Sequence, residues 1–157
     1  MFSVGDKVVY PMHGAGTIQG IEEKKILGEK KQYYIFKLPC GDMNIMIPVD
    51  SGDMVGVRDI VDKKVIEDVV VLLRAESTKM NSNWSRRHRE NMDKLRTGDI
   101  MQVAEVVRNL MRMDRYRSLS SGERKMLANA RQVLISEMIL AAGLEPAEAE
   151  KLLDESV

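Results

Sequence analysis

Residues 83–91 read NWSRRHREN, placing the only tryptophan of the chain just ahead of three arginines within five positions. Two kinds of chemistry suit that grouping. An indole flanked by cations can stack on a nucleic-acid base, or wedge into a minor groove, while guanidinium groups hold phosphates. Alternatively, the tryptophan anchors a helical core and the arginines form its solvated face. Positions 84, 88, 92 and 95 fall near one helical face, with Met92 and Leu95 as core residues, so spacing alone leaves Trp84 open between the two. The cations say more. With Asn83 as N-cap, Arg86, Arg87 and Arg89 occupy the first two turns, where the helix macrodipole favours anions instead. Ser120 and Glu123 have capping-box spacing, and Arg124 and Lys125 follow at once. A helix N-terminus presents free backbone N–H groups, and added cations strengthen it as a phosphate site.

The charge distribution points the same way. The formal net charge is zero, yet residues 81–131 carry 12 basic and 6 acidic side chains while residues 132–157 carry one basic and six acidic. Other chemistry finds little support. Two histidines and one cysteine cannot build the usual zinc sites. The glycines of HGAGTIQG lack the Lys-Ser or Lys-Thr pair of a phosphate-binding loop, and read as a turn between strands with His13 in it. No nucleophile–base–acid arrangement is suggested, so a binding protein without catalytic residues, metal or cofactor is expected. The lone Cys40 cannot pair within the chain, no apolar run reaches the length of a membrane span, and the first residues do not form a signal peptide. A cytoplasmic protein is expected.

Two kinds of element must position these residues. DKVVYP, TIQGIEEKKI, QYYIFKL, MNIMIPV and VGVRDI read as five short strands, with Gly28 at a hairpin reversal and Tyr34, Phe36 and Leu38 alternating with Tyr33, Ile35 and Lys37. From about Asp59 the apolar period changes to that of a helix. Val65, Ile66, Val69, Val70, Leu72 and Leu73 share one broad face; Asp99 can cap a helix striped by Ile100, Val103, Val107, Leu110 and Met111; Gly143 ends another; Pro146 opens a last short one. The expectation is an α+β chain of two modules: a small SH3/Tudor-like antiparallel β-barrel over residues 1–58, then a compact all-α bundle of about five helices over residues 59–157. Connections this short leave no flexible linker, so the modules should pack together.

Taken as a set, VGDKVVYPMHGAG, GEKKQYYIFKL, MIPVD, VGVRDI, NWSRRHRENMDKLRTGD, VAEVVRNL and LSSGERKMLANARQVL resemble the CarD/CdnL family of bacterial transcription regulators, from about Phe2 to Leu153. The first part also resembles the polymerase-interacting module of the transcription-repair coupling factor. The resemblance implies a non-enzymatic protein, associated with the nucleoid through RNA polymerase; a monomer is expected. Its Tudor-like module would dock on the β subunit of bacterial RNA polymerase by pairing strand edges. Its helical module would lie on promoter DNA at the upstream edge of the transcription bubble, without sequence preference. The family's minor-groove wedge matches Trp84, and its DNA-contacting cations match Arg86, Arg87, Arg89 and Arg124, with Lys125 beside them. Basic positions on its polymerase-binding face match Lys24, which keeps the charge, and Met46, which loses it. A polymerase-bound adaptor whose helices contact another protein, with Trp84 in the core, is the alternative. An RNA-binding module is a weaker one, because QYYIFKL lacks the pattern of a stacking platform.

Overall fold

The computed structural model describes residues 2–39, 44–49 and 56–157. Its strands are β1 (Lys7–Tyr10), β2 (Gly14–Ile26), β3 (Glu29–Lys37), β4 (Asn44–Pro48) and β5 (Arg58–Asp59), and its helices α1 (Lys63–Arg74), α2 (Trp84–Arg96), α3 (Ile100–Tyr116), α4 (Ser121–Ala142) and α5 (Pro146–Ser156). The strands form one antiparallel sheet in the order β4-β3-β2-β1-β5. A buried cluster runs from Val8 on β1 through Ile18, Tyr34 and Phe36 to Ile47 on β4, so the sheet wraps about its own core, as a Tudor-like module must. Among the described residues β4 and β5 do not pair, which leaves the sheet open rather than closed as a barrel. The expected turn at Cys40–Asp42 and the polar stretch 50–53 lie outside the described residues.

One expectation is corrected at the start of β2. The turn is Pro11–His13, with the His13 N–H donating to the Tyr10 carbonyl at 2.9 Å, and the glycines of HGAG already belong to the strand. They are small because the chain is crowded there. A Cβ on Gly14 would sit 2.8 Å from Ser136 Oγ, and one on Gly16 would sit 2.5 Å from the Lys37 carbonyl oxygen.

Local signals set the helix ends. The Asn83, Asp99 and Ser120 side chains each accept a backbone N–H of the helix they precede, and Gly143 ends α4 in the left-handed conformation. Helix α4 is the centre of the fold. Residues Val133 to Ile139 are all buried, because one side of the helix faces the bundle and the other the sheet. Two polar members of that run make the junction. Ser136 Oγ accepts the Ala15 N–H at 2.8 Å, and the Glu137 carboxylate takes both Arg58 Nη1 and Nη2, at 2.8 and 2.7 Å, plus the Val61 N–H at 3.0 Å. Arg58 also donates to the Gly98 carbonyl oxygen. The two modules therefore pack together, as the short connections require. No helix among the described residues is long and apolar enough to cross a membrane.

Candidate nucleic-acid interface

Trp84 is the first residue of α2 and is 46% exposed. Its indole projects past the helix end and meets the start of α4. Nε1–H donates to Ser120 Oγ at 2.9 Å, and the six-membered ring approaches Gly122 closely enough that a Cβ there would be 3.5 Å from Cζ2. The His88 ring, one turn along, stacks beside it with centroids 5.3 Å apart and planes at 25°. The reading that buries Trp84 in the core is excluded by this placement. The buried stripe of α2 is Arg87, Asn91 and Leu95, while Met92 is only half-buried and lines an open groove of about 520 Å³ with Trp84, His88 and Arg89.

The Trp84–Ser120 contact sets two helix N-termini side by side, and the expected cations fall around them. Arg86 and Arg89 on α2, and Arg124 and Lys125 on α4, are all exposed. None of the four takes part in an ion pair among the described residues; Arg124 makes only a long 3.4 Å bond to Ser118. Four solvated guanidinium and ammonium groups around two helix starts form a surface suited to phosphate oxygens.

Arg87, expected among the phosphate contacts, does something else. It is 5% exposed, and its guanidinium grips the Glu123 carboxylate through Nε at 2.8 Å and Nη2 at 3.1 Å. Nη1 reaches back to the carbonyl oxygens of Asn81 and Ser82, the residues leading into α2. With its nitrogens so engaged, Arg87 supports the surface from beneath. Glu123 serves both helices: its backbone N–H donates to Ser120 Oγ, and its carboxylate accepts from Arg87 and from the Ser120 hydroxyl. The Arg87 hydrogen bond, opposed by burial, holds the Glu123 carboxyl below its ordinary value.

The connection into α2 is pinned from α3. Arg108 and Arg112 donate to the Leu72 and Leu73 carbonyl oxygens at the end of α1, and Asn109 and Thr78 exchange hydrogen bonds. Lys24 and Met46 lie far from this end, on the sheet. Met46 on β4 pairs with Ile35, and Lys24 on β2 with Lys31, so both share one face of the β2–β3–β4 sheet, Lys24 exposed and Met46 half-buried. The outer edge of β4 has no strand beside it among the described residues.

Both parts of the chain match family models. Residues 2–61 match the CarD-like/TRCF RID domain, and residues 68–154 match the CarD C-terminal domain. The chain is 40% identical over 144 residues to the Bacillus subtilis (strain 168) protein named "Putative transcription factor YdeB", covering 92% of this chain and 94% of that protein. The chain belongs to the CarD family.

CarD-family membership makes it a transcription regulator. What sequence reasoning missed is the support: Ser120 as acceptor for the indole, His88 as its stacked neighbour and Glu123 as partner of Arg87. One signal was present. Arg87, Asn91 and Leu95 recur every four residues, which puts Arg87 on the same stripe as a core leucine.

Proposed function

We propose that this CarD-family protein holds the β subunit of bacterial RNA polymerase through its sheet and promoter DNA through the joined starts of α2 and α4, so stabilising the open complex. The observation that carries this reading is the half-exposed Trp84 amid four cations that make no ion pair among the described residues. An indole so placed can enter a distorted, unwound junction that intact duplex resists. A protein shifts the closed–open equilibrium only by interacting better with one state, and Trp84 supplies that difference. Arg86, Arg89, Arg124 and Lys125 add salt-dependent affinity that is largely independent of sequence.

Two features of the sheet support polymerase docking. The outer edge of β4, unpaired among the described residues, offers backbone groups to an added strand, a contact that does not require the charge lost at Met46. The β2–β3 register sets Lys24 opposite Lys31 and Lys25 opposite Lys30. Like charges directly across strands cost stability in the free protein, and an acidic partner relieves them. Docking raises the effective concentration of the helices at the promoter, so DNA binding by the isolated protein is weak.

The test is open-complex lifetime on a promoter fragment with bacterial RNA polymerase, comparing no factor, wild type and Trp84→Ala. The expected result is a longer lifetime with wild type that the folded, still-docking variant does not give. Equal lifetimes with the two proteins would move the function to a protein partner of the helical module.

A further inference from the structure

We infer that Ser120 is the positioning residue for the indole, so that the angle at which Trp84 leaves the protein is set by α4 and not by α2 alone. This rests on the proposed role of Trp84 as the DNA-entering group. An exposed tryptophan at the first position of a helix has few neighbours to choose its rotamer, because no preceding turn exists to pack against it. Here three contacts fix it. Its Nε1–H donates to Ser120 Oγ at 2.9 Å, its ring lies along the Gly122 backbone, and His88 stacks beside it.

Ser120 Oγ is itself held. It accepts the Glu123 N–H and donates to Glu123 Oε1, both at 3.2 Å. Glu123 is buried and held by Arg87, whose remaining nitrogen ties down Asn81 and Ser82 just ahead of Trp84. The chain of bonds thus closes on itself, from indole to Ser120, to Glu123, to Arg87 and back to the segment that carries the indole. A hydroxyl at an N-cap ordinarily serves only its own helix. This one also serves the side chain of a residue 36 positions away.

Because Trp84 is the only tryptophan, its fluorescence reports this orientation directly. Time-resolved anisotropy of the free protein should show a largely immobile indole in wild type and in Ser120→Thr, which keeps the hydroxyl. Ser120→Ala should show a substantial fast component. Ser120→Gly should show it too, while retaining most of the helix cap, since glycine is tolerated at that position. In the open-complex assay, Ala and Gly should lose about fivefold of the wild-type extension in lifetime, the worth of one hydrogen bond, and Thr should keep it. An immobile indole in both Ser120→Ala and Ser120→Gly would overturn the inference, and so would a mobile indole with wild-type lifetime. If wild type itself fails to lengthen the lifetime, the functional reading falls, and anisotropy alone decides whether Ser120 orients the ring.

Discussion

Arg87 and Glu123 meet across the gap between α2 and α4 as a two-pronged ion pair, Nε to Oε2 at 2.8 Å and Nη2 to Oε1 at 3.1 Å, with both side chains about 95% buried. The pair divides three neighbouring arginines into two kinds. Removing one partner of a buried pair leaves an uncompensated charge, so Arg87→Ala should destabilise the protein by about 3–5 kcal/mol. Arg86→Ala and Arg89→Ala should leave the denaturant midpoint within about 0.5 kcal/mol of wild type. They should instead weaken DNA binding and each lower the salt slope by about one. Urea melts and salt titrations of the three variants separate these outcomes.

The same pair predicts a response to acid. Arg87 first of all holds the Glu123 carboxyl below its ordinary value of 4.5, with burial pulling the other way. Its folded pKa is therefore lower than its unfolded one, and the unfolded chain binds the proton more readily. The contribution is complete above about pH 4.5 and is lost as pH falls through the depressed folded value. Melts recorded between pH 7 and pH 3 should fall more for wild type than for Glu123→Gln, which carries no titrating group there.

At the tip of the β2–β3 hairpin, Leu27 is 99% exposed with φ at 51°, followed by Gly28 at 83°. That backbone is a two-residue turn that favours asparagine at its first position and disfavours a branched apolar side chain. Leu27→Asn should stabilise the protein by about 1 kcal/mol, because nothing buried is lost and the left-handed strain is eased. The check is a shift in urea midpoint with the slope unchanged.

Glu137 joins sheet to helices by receiving Arg58 and the Val61 N–H from a position 3% exposed at its side chain. Glu137→Ala should cost about 3 kcal/mol, somewhat less than a fully buried pair because Arg58 keeps 28% of its side-chain surface in water. Hydrogen exchange should show β5 and the start of α1 losing protection together.

What the sequence made legible was local. Asn83, Asp99, Ser120 and Gly143 mark helix ends through bonds to residues a few positions away, and Tyr34, Phe36 and Leu38 declare their face by alternation. What it hid depended on distant partners. Arg87 reads like Arg86 and Arg89 until Glu123, 36 residues on, is known to face it. Gly14 reads as part of a turn because the α4 side chain that demands its smallness, Ser136, lies more than a hundred residues away. The indole was ambiguous for a similar reason, since the stripe drawn through 84, 88, 92 and 95 shares only Leu95 with the stripe actually buried.

The rigid α4 has a further consequence. It meets the sheet at Ser136 and Glu137 and the indole at Ser120, so about fifteen helical residues, roughly 22 Å, separate the two contacts. On the proposed function the sheet is fixed to an enzyme and the indole to DNA, and the helix becomes a ruler between them. Roughly 22 Å is the length of six or seven base-pair steps at about 3.4 Å each. On that reading the molecule selects its DNA step by distance from a bound machine, and acts at one place without having to read letters.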